Sequence, residues 1–305
     1  MKQIKIWLEA IRLRTLPVSV SGVLIAVGLA KFNGAFRLVP SLLCVAFAVL
    51  AQIVSNLANE YFDFKAGTDK KGRVGPRRGV TEGDFSPATL KRAIVGTLVA
   101  TCAVGLSMLA VVDPGEGYAN WLLLVGVGVM VAVMAFAYSA GPYPLSYHAL
   151  GEVAVMAFYG LVPVIFSYYV VAGDFHPYAV IAGIAIGLMG VNVLLVNNYR
   201  DVDDDREAGK RTSVVVAGRT LAAFAYLLNG LLALSVLGVL WLRLWMEWGW
   251  WTMLPPAIYM ALHLTTWHRL KQRTGAALNP ILGATARNML IFTILLTLLL
   301  TLFLF

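Results

Sequence analysis

Asn56-Leu-Ala-Asn-Glu-Tyr-Phe-Asp63 and Asn197-Asn-Tyr-Arg-Asp201-Val-Asp-Asp-Asp205 each follow directly on a long apolar run. Carboxylates at such a junction are expensive to desolvate, so they pair with a cation, face a watery cavity or mark a functional site. The surrounding composition is equally unbalanced: 59% of residues are hydrophobic and 13% charged, with a mean hydropathy of +0.77, well away from water-soluble domains. The chain reads as an integral membrane protein. Runs long enough to cross a bilayer fall at 16–30, 39–58, 90–112, 119–138, 150–172, 178–196, 221–241, 250–267 and 285–305. They predict an all-α bundle of nine transmembrane helices. No other stretch is long enough for a separate soluble unit, so residues 1–305 are expected to form one membrane domain. Cys44 and Cys102 both lie in spans, where a thiol acts as a small apolar group.

Charge gives the orientation. In a nine-helix chain, 21 of the 24 Lys and Arg residues fall on one side, and only Lys31, Arg37 and Arg243 on the other. The positive-inside rule makes the rich side cytoplasmic, and both acidic clusters lie on it. The net charge of +8 thus follows from topology and needs no nucleic-acid partner.

Spacing then sharpens the clusters. If the second span stays helical through its end, Asn56, Asn59, Glu60 and Asp63 recur at i, i+3, i+4 and i+7 and share a face; Gly67 supplies a stop, with Asp69 in the loop beyond. Asn197, Asp201 and Asp205 recur at i, i+4 and i+8. Hard oxygen ligands of this kind suit Mg²⁺ shared between carboxylates and substrate phosphates, and the absence of His and Cys from both clusters argues against zinc. Lys70, Arg73, Arg78, Arg206 and Lys210 surround the acids, as a diphosphate site requires. A solvated loop with balanced charges is the plainer reading of any one of these residues. The two aligned stripes together favour a site, with Asn59, Glu60, Asp63, Asp69, Asp201 and Asp205 as metal ligands. Asn56, Lys70, Arg73, Arg78, Asn197, Arg206 and Lys210 are candidates for holding substrate. The clusters also echo each other. Asn59-Glu-Tyr-Phe-Asp63 aligns with Asn197-Asn-Tyr-Arg-Asp201, and an Ala-Gly pair follows each, at Ala66-Gly67 and Ala208-Gly209. The echo suggests a duplication relating helices 1–4 to 5–8, with two Mg²⁺ sites across one cytoplasmic-side cavity.

These residues resemble the UbiA-type membrane prenyltransferases, whose motifs are of the NDxxDxxxD and DxxxD types. Asn59, Glu60 and Asp63 match the start of the first, and Asp201 and Asp205 the second. A narrower likeness is to the 1,4-dihydroxy-2-naphthoate polyprenyltransferase branch of menaquinone biosynthesis. It rests on Trp7-Leu-Glu-Ala-Ile-Arg12, Arg14-Thr-Leu-Pro17, Ser55-Asn-Leu-Ala-Asn59, Gly67-Thr-Asp69, Arg73-Val-Gly-Pro-Arg-Arg-Gly79 and Asp205-Arg-Glu-Ala-Gly-Lys210. Glu60 departs from the usual Asp, and the carboxylate after Asp63 comes at Asp69, as in that branch. The resemblance implies transfer of a polyprenyl chain from its diphosphate to dihydroxynaphthoate, with loss of CO₂ and diphosphate, in the inner membrane of a prokaryote.

The site chemistry supports that implication. Mg²⁺ and basic side chains stabilise charge on a departing diphosphate, and the allylic cation left behind needs electron-rich walls and exclusion of water. Tyr138 and Tyr143, in the short turn Tyr138-Ser-Ala-Gly-Pro-Tyr-Pro144, are the foremost wall candidates, joining Asp63, Asp201 and Asp205 as catalytic residues. Tyr61, Phe62, Tyr147, Tyr159 and Tyr199 are others, although most aromatics in a membrane bundle serve packing. Arg73 or Arg78 is a candidate for the acceptor carboxylate, and Glu152 for a proton acceptor or a helix-start carboxylate. Two other functions stay open: a different aromatic acceptor such as 4-hydroxybenzoate, and a cation-coupled transporter, which would place its acids nearer the bilayer midplane.

Overall fold

A computed structural model describes residues 2–112 and 119–302, and every regular element among them is helical. The helices are α1 (Lys2–Ala10), α2 (Leu16–Phe32), α3 (Leu38–Lys65), α4 (Gly79–Glu82), α5 (Pro87–Leu109), α6 (Ala119–Ala137), α7 (Gly151–Val155), α8 (Val162–Ala172), α9 (Pro177–Glu207), α10 (Ser213–Val236), α11 (Gly238–Trp248), α12 (Leu254–Lys271) and α13 (Asn279–Leu302). Eight helical stretches among the described residues are long and apolar enough to cross a membrane. The protein is therefore a multi-pass membrane protein.

Eight of the nine expected spans are recovered among these stretches. The stretch at 250–267 does become a helix, α12, but it carries His263, Thr265, Thr266 and His268 and is not among the eight apolar ones. Its polar groups are spent on its neighbours. Trp267 Nε1 donates to Ala223 O at 2.8 Å, and Asn288 Nδ2 to Thr266 Oγ1 at 2.8 Å, so α12 packs on α10 and α13 rather than facing lipid all round. Residues 303–305 of the last expected span lie outside the described residues.

Helix length positions the acidic stripes. α3 has 28 residues and α9 has 31, so at 1.5 Å per residue they run about 42 and 46 Å, well past the ~30 Å hydrocarbon layer. Both stay helical through the polar sequence, carrying Asp63, Asp201 and Asp205 to the membrane's edge. Gly67 at φ +70° and Gly209 at φ +73° then end them, adopting the left-handed conformation that a Cβ disfavours.

Two local breaks shape the interior. Arg12, at φ 56° and ψ 56°, turns the chain sharply between α1 and α2, at a cost of about 1–2 kcal/mol for an L-residue. Three side chains of α3 hold the corner: Gln52 Nε2 donates to Thr15 O at 2.8 Å, Asn56 Nδ2 donates to Ile11 O at 2.9 Å, and the Asn59 carbonyl accepts from Arg12. The second break is a π-helical turn over Met156–Leu161 that joins α7 to α8. Pro163 has no N–H for the carbonyl one turn back, which favours widening there. The wide turn presses on α9, where a Cβ on Gly160 would lie 2.4 Å from Gly187 Cα. Gly160→Ala is accordingly expected to cost about 3 kcal/mol through forced separation of the two backbones. Thermal unfolding in detergent checks this, with Gly96→Ala as control: nothing lies within 4 Å of a Cβ at Gly96, so that change should be neutral or stabilising by up to about 1 kcal/mol.

At the opposite end from the acids, Arg37 ties α5 to α8. Its guanidinium donates to Val171 O and Val170 O at 2.8 Å each and to Val111 O at 3.2 Å. It satisfies carbonyls that helix ends leave without partners.

Candidate active site

The charged ends of α3 and α9 face one another across a cavity of about 690 Å³. Its mouth is lined by Asn56, Asn59, Asp63, Arg73, Arg78, Asn197, Arg200, Asp201, Asp205 and Lys210, and its depth by Cys44, Phe47, Met108, Leu124, Phe166 and Val170. The lining thus changes from ionic to apolar. From Asp63 down to Cys44 is nineteen residues of α3, or roughly 28 Å. Tyr138, Phe158 and Tyr159 stand between the two zones on the lining, and the π turn is what brings the last two there.

Each carboxylate is held differently. Asp201 is buried and takes a two-pronged grip from Arg200, with Nε–Oδ1 and Nη2–Oδ2 both 2.7 Å, while Arg73 Nη2 reaches Oδ2 at 3.0 Å. Arg73 also pairs with Asp69 at 2.8 Å, and Arg78 Nε lies 3.1 Å from the other Asp69 oxygen. Burial opposes the charge on Arg73, but Asp69 and Asp201 outweigh it and hold the group above its ordinary value. Asp63 accepts from Tyr147 OH at 3.2 Å and from Lys210 Nζ at 3.4 Å, with Arg78 Nη2 at 3.6 Å. Burial, reinforced by Asp63 and Asp69, pushes the Tyr147 hydroxyl up to about 12, so it remains a donor. Asp205 has no ion pair and no side-chain hydrogen bond. It lies half-buried on the cavity wall.

Several expected site residues are placed elsewhere. Glu60, expected as a metal ligand, is 1% exposed, absent from the cavity wall, and accepts the Val80 N–H at 3.1 Å. Successive helical residues point about 100° apart, so with Asn59 turned to Arg12 and Arg78, Glu60 turns to α4. That contact ties α4 to α3: Glu60→Gln, which keeps the acceptor, is expected to retain activity within about threefold, whereas Glu60→Ala should lose about 1–3 kcal/mol of stability by stranding the Val80 N–H. Unfolding and turnover measured on both variants check it. Asn59 and Asn197 spend their carbonyls on guanidiniums, Asn59 Oδ1 accepting from Arg78 at 2.9 Å and Asn197 Oδ1 from Arg200 at 2.8 Å. Both stay on the cavity wall, where they position cations. Tyr143 is 57% exposed and stacks on His148 at 3.5 Å, outside the cavity. Lys70 pairs with Glu207 and Arg206 with Asp203 on the exposed surface. Glu152 is also off the cavity wall, bonded by Ser213 Oγ and by Asn198 Nδ2 at 3.2 Å.

Three residues gain importance. Arg200 and Tyr147 hold Asp201 and Asp63 in place, and Arg12 reaches the cavity from the corner between α1 and α2. Burial holds the Tyr138 hydroxyl above its ordinary value and so protonated.

The wall fits a hard divalent cation. Asp63, Asp201 and Asp205 present only oxygen, and among the described residues Asp205 has no ion pair. Among the described residues no group of three or more His, Cys, Asp or Glu side chains is gathered closely enough to cage an ion. That arrangement suits Mg²⁺, which takes one or two carboxylates and completes its shell with water and phosphate.

Residues 19–282 match the UbiA prenyltransferase family. The 1,4-dihydroxy-2-naphthoate octaprenyltransferase of Escherichia coli is 34% identical over 95% of this chain and 92% of that protein, and the Mycobacterium tuberculosis protein of the same name is 32% identical over 94% of each. A UbiA homologue from Archaeoglobus fulgidus solved with DMAPP and Mg²⁺ superposes with a TM-score of 0.62 at 14% identity, over 95% of this chain and 98% of that one.

Proposed function

Because this chain belongs to the UbiA prenyltransferase family, as the match over 19–282 shows, we propose that it transfers a polyprenyl chain from its diphosphate to 1,4-dihydroxy-2-naphthoate, with Mg²⁺ present, giving a demethylmenaquinone. One observation carries the reading: carboxylates from two opposed helices and four basic side chains meet at the mouth of a cavity whose depth is apolar. A diphosphate with a hydrophobic tail matches both ends. The names of the relatives support the acceptor, and the Archaeoglobus structures with DMAPP or GPP and Mg²⁺ support the donor class and the metal.

Asp63, Asp201 and Asp205 would hold the cation, and their origin on two helices favours two ions. Bound Mg²⁺ supplies Lewis-acid stabilisation of the charge that grows on the departing diphosphate. Arg73, Arg78, Arg200 and Lys210, which here pair with acids, offer N–H donors to diphosphate oxygens. The C–O bond to diphosphate breaks, leaving an allylic cation beneath Tyr138, Phe158 and Tyr159, whose ring faces suit positive charge. The apolar depth keeps water from it. The ring carbon bearing the carboxylate forms the new C–C bond, and loss of CO₂ returns its electron pair to the ring. That carbon needs no base, which agrees with Glu152 lying off the wall. The Lys and Arg asymmetry of the sequence supports a mouth on the cytoplasmic side, and the bacterial relatives support the inner membrane of a prokaryote.

The test is purified protein with a polyprenyl diphosphate and either carboxyl-labelled dihydroxynaphthoate or 4-hydroxybenzoate. Prenylated product with stoichiometric labelled CO₂, abolished by EDTA and restored by Mg²⁺, is the expected result. Product from 4-hydroxybenzoate alone would overturn the acceptor.

A further inference from the structure

Among the described residues, Arg12 is the half-buried guanidinium on the cavity wall that has no ion pair; Arg14, also on the wall, is exposed. Arg73, Arg78, Arg200 and Lys210 each lie within 3.6 Å of an aspartate oxygen, whereas the side chain of Arg12 has a hydrogen bond to the Asn59 carbonyl and no ion pair. That same carbonyl also accepts from Arg78 at 2.9 Å. Two cations therefore converge on one neutral oxygen, an arrangement that lacks an anion. The protein nevertheless fixes Arg12 with care: its own backbone sits at φ 56°, and Gln52 and Asn56 pin the carbonyls on either side of it. Asn59 also donates to Ser139 Oγ at 2.8 Å, so the amide that orients Arg12 is itself locked.

Depth separates this cation from the diphosphate end. Asn59 lies one turn of α3 below Asp63, about 6 Å farther into the membrane, on a wall shared with Tyr138, Phe158, Tyr159 and Met134. The reacting carbon of a prenyl diphosphate hangs below its phosphates, and an aromatic acceptor must lie beside that carbon. A planar fork of N–H donors next to aromatic rings matches the carboxylate of a flat aryl acid.

We propose that Arg12 anchors the carboxylate of the aromatic acceptor and so turns the carboxyl-bearing ring carbon toward the prenyl group. The inference rests on the acceptor proposed above, and it replaces Arg73 and Arg78, which lie at the diphosphate end beside Asp69, Asp201 and Asp63, as the carboxylate partner. Arg12 acts by binding and orientation; the bonds made and broken are those already described.

The test measures binding to the intact protein in detergent, with stable probes: 1-hydroxy-2-naphthoate, 1-naphthol, and inorganic pyrophosphate with Mg²⁺. Wild type should prefer the naphthoate to the naphthol. Arg12→Gln should weaken the naphthoate roughly tenfold to a hundredfold, the range for a lost charge-assisted contact, and change naphthol and pyrophosphate by no more than about twofold. Arg12→Lys, which keeps the charge without the fork, should recover part of the loss. Weakening of pyrophosphate as large as that of naphthoate would assign Arg12 to the diphosphate instead. Equal weakening of naphthoate and naphthol would reduce it to a packing role, and both results overturn the inference while leaving the proposed reaction standing. Wild type that binds naphthol as well as naphthoate would instead overturn the acceptor reading itself.

Discussion

Asp205→Asn is expected to lower prenyl transfer by two to three decades and leave the protein as stable as before. Among the described residues Asp205 has neither an ion pair nor a side-chain hydrogen bond, so its removal strands no partner and opens no cavity. Its charge has a use only when a cation is bound. Losing one preorganised charge from a site that stabilises a leaving group forfeits about 3–4 kcal/mol at the transition state, which is the stated loss in rate. Turnover at saturating donor and acceptor, beside an unfolding curve in detergent, reads the two effects separately. Raised Mg²⁺ should restore part of the activity of the variant, because its defect is a weakened hold on the ion. Activity within a few fold of wild type would remove Asp205 from the site.

Asp201→Ala should inactivate as completely and also destabilise, and the contrast follows from geometry. Arg200 grips both Asp201 oxygens, and its side chain is 1% exposed. Removing the acid leaves that guanidinium buried with only Asn197 and Asn279 as partners, and frees one arm of Arg73 as well. An uncompensated buried charge costs about 3–5 kcal/mol. The double variant Arg200→Met with Asp201→Ala should recover most of the stability and none of the activity, since an apolar pair of similar volume replaces a buried ion pair at little cost. A single variant that is inactive yet fully stable would show that Arg200 finds other partners, and would contradict the packing described here.

What the sequence shows of this site, and what it hides, divides along the range of the interactions. Asp63, Asp201 and Asp205 were legible because one helix face is a local property: spacing alone puts them in line once the helix is known to continue. The membrane class was legible from hydropathy. The partner of Glu60 was hidden because Val80 belongs to α4, which folds back over α3, and no local rule reports that return. Tyr143 failed for a similar reason, since a turn flanked by prolines can aim its ring inward or outward, and here His148 receives it. Asn59 and Asn197 kept their expected face, but the arginines that their carbonyls meet lie 47, 19 and 3 residues away, beyond what helix spacing reports. Arg12 looked like one basic residue among many before a span. Only the corner between α1 and α2 shows it lining the cavity. α12 was anticipated as apolar, yet its histidines and threonines are answered by α10 and α13, a pairing that hydropathy averages away.

The clasp made by Arg37 also bears on how the bundle is assembled during synthesis. Its partners at Val170 and Val171 lie 133 and 134 residues downstream, which at ~5–20 residues per second leaves roughly ten seconds between the appearance of the arginine and that of the carbonyls it binds. α3 and α5 are made during that interval while the far end of the chamber stays unsealed, and of the three carbonyls that Arg37 binds only that of Val111 arrives early. Closure of that end is thus a late event, conditional on the central helices having arrived. A chain arrested before residue 170 would expose an open, charged rim that a membrane quality-control protease could read as unfinished.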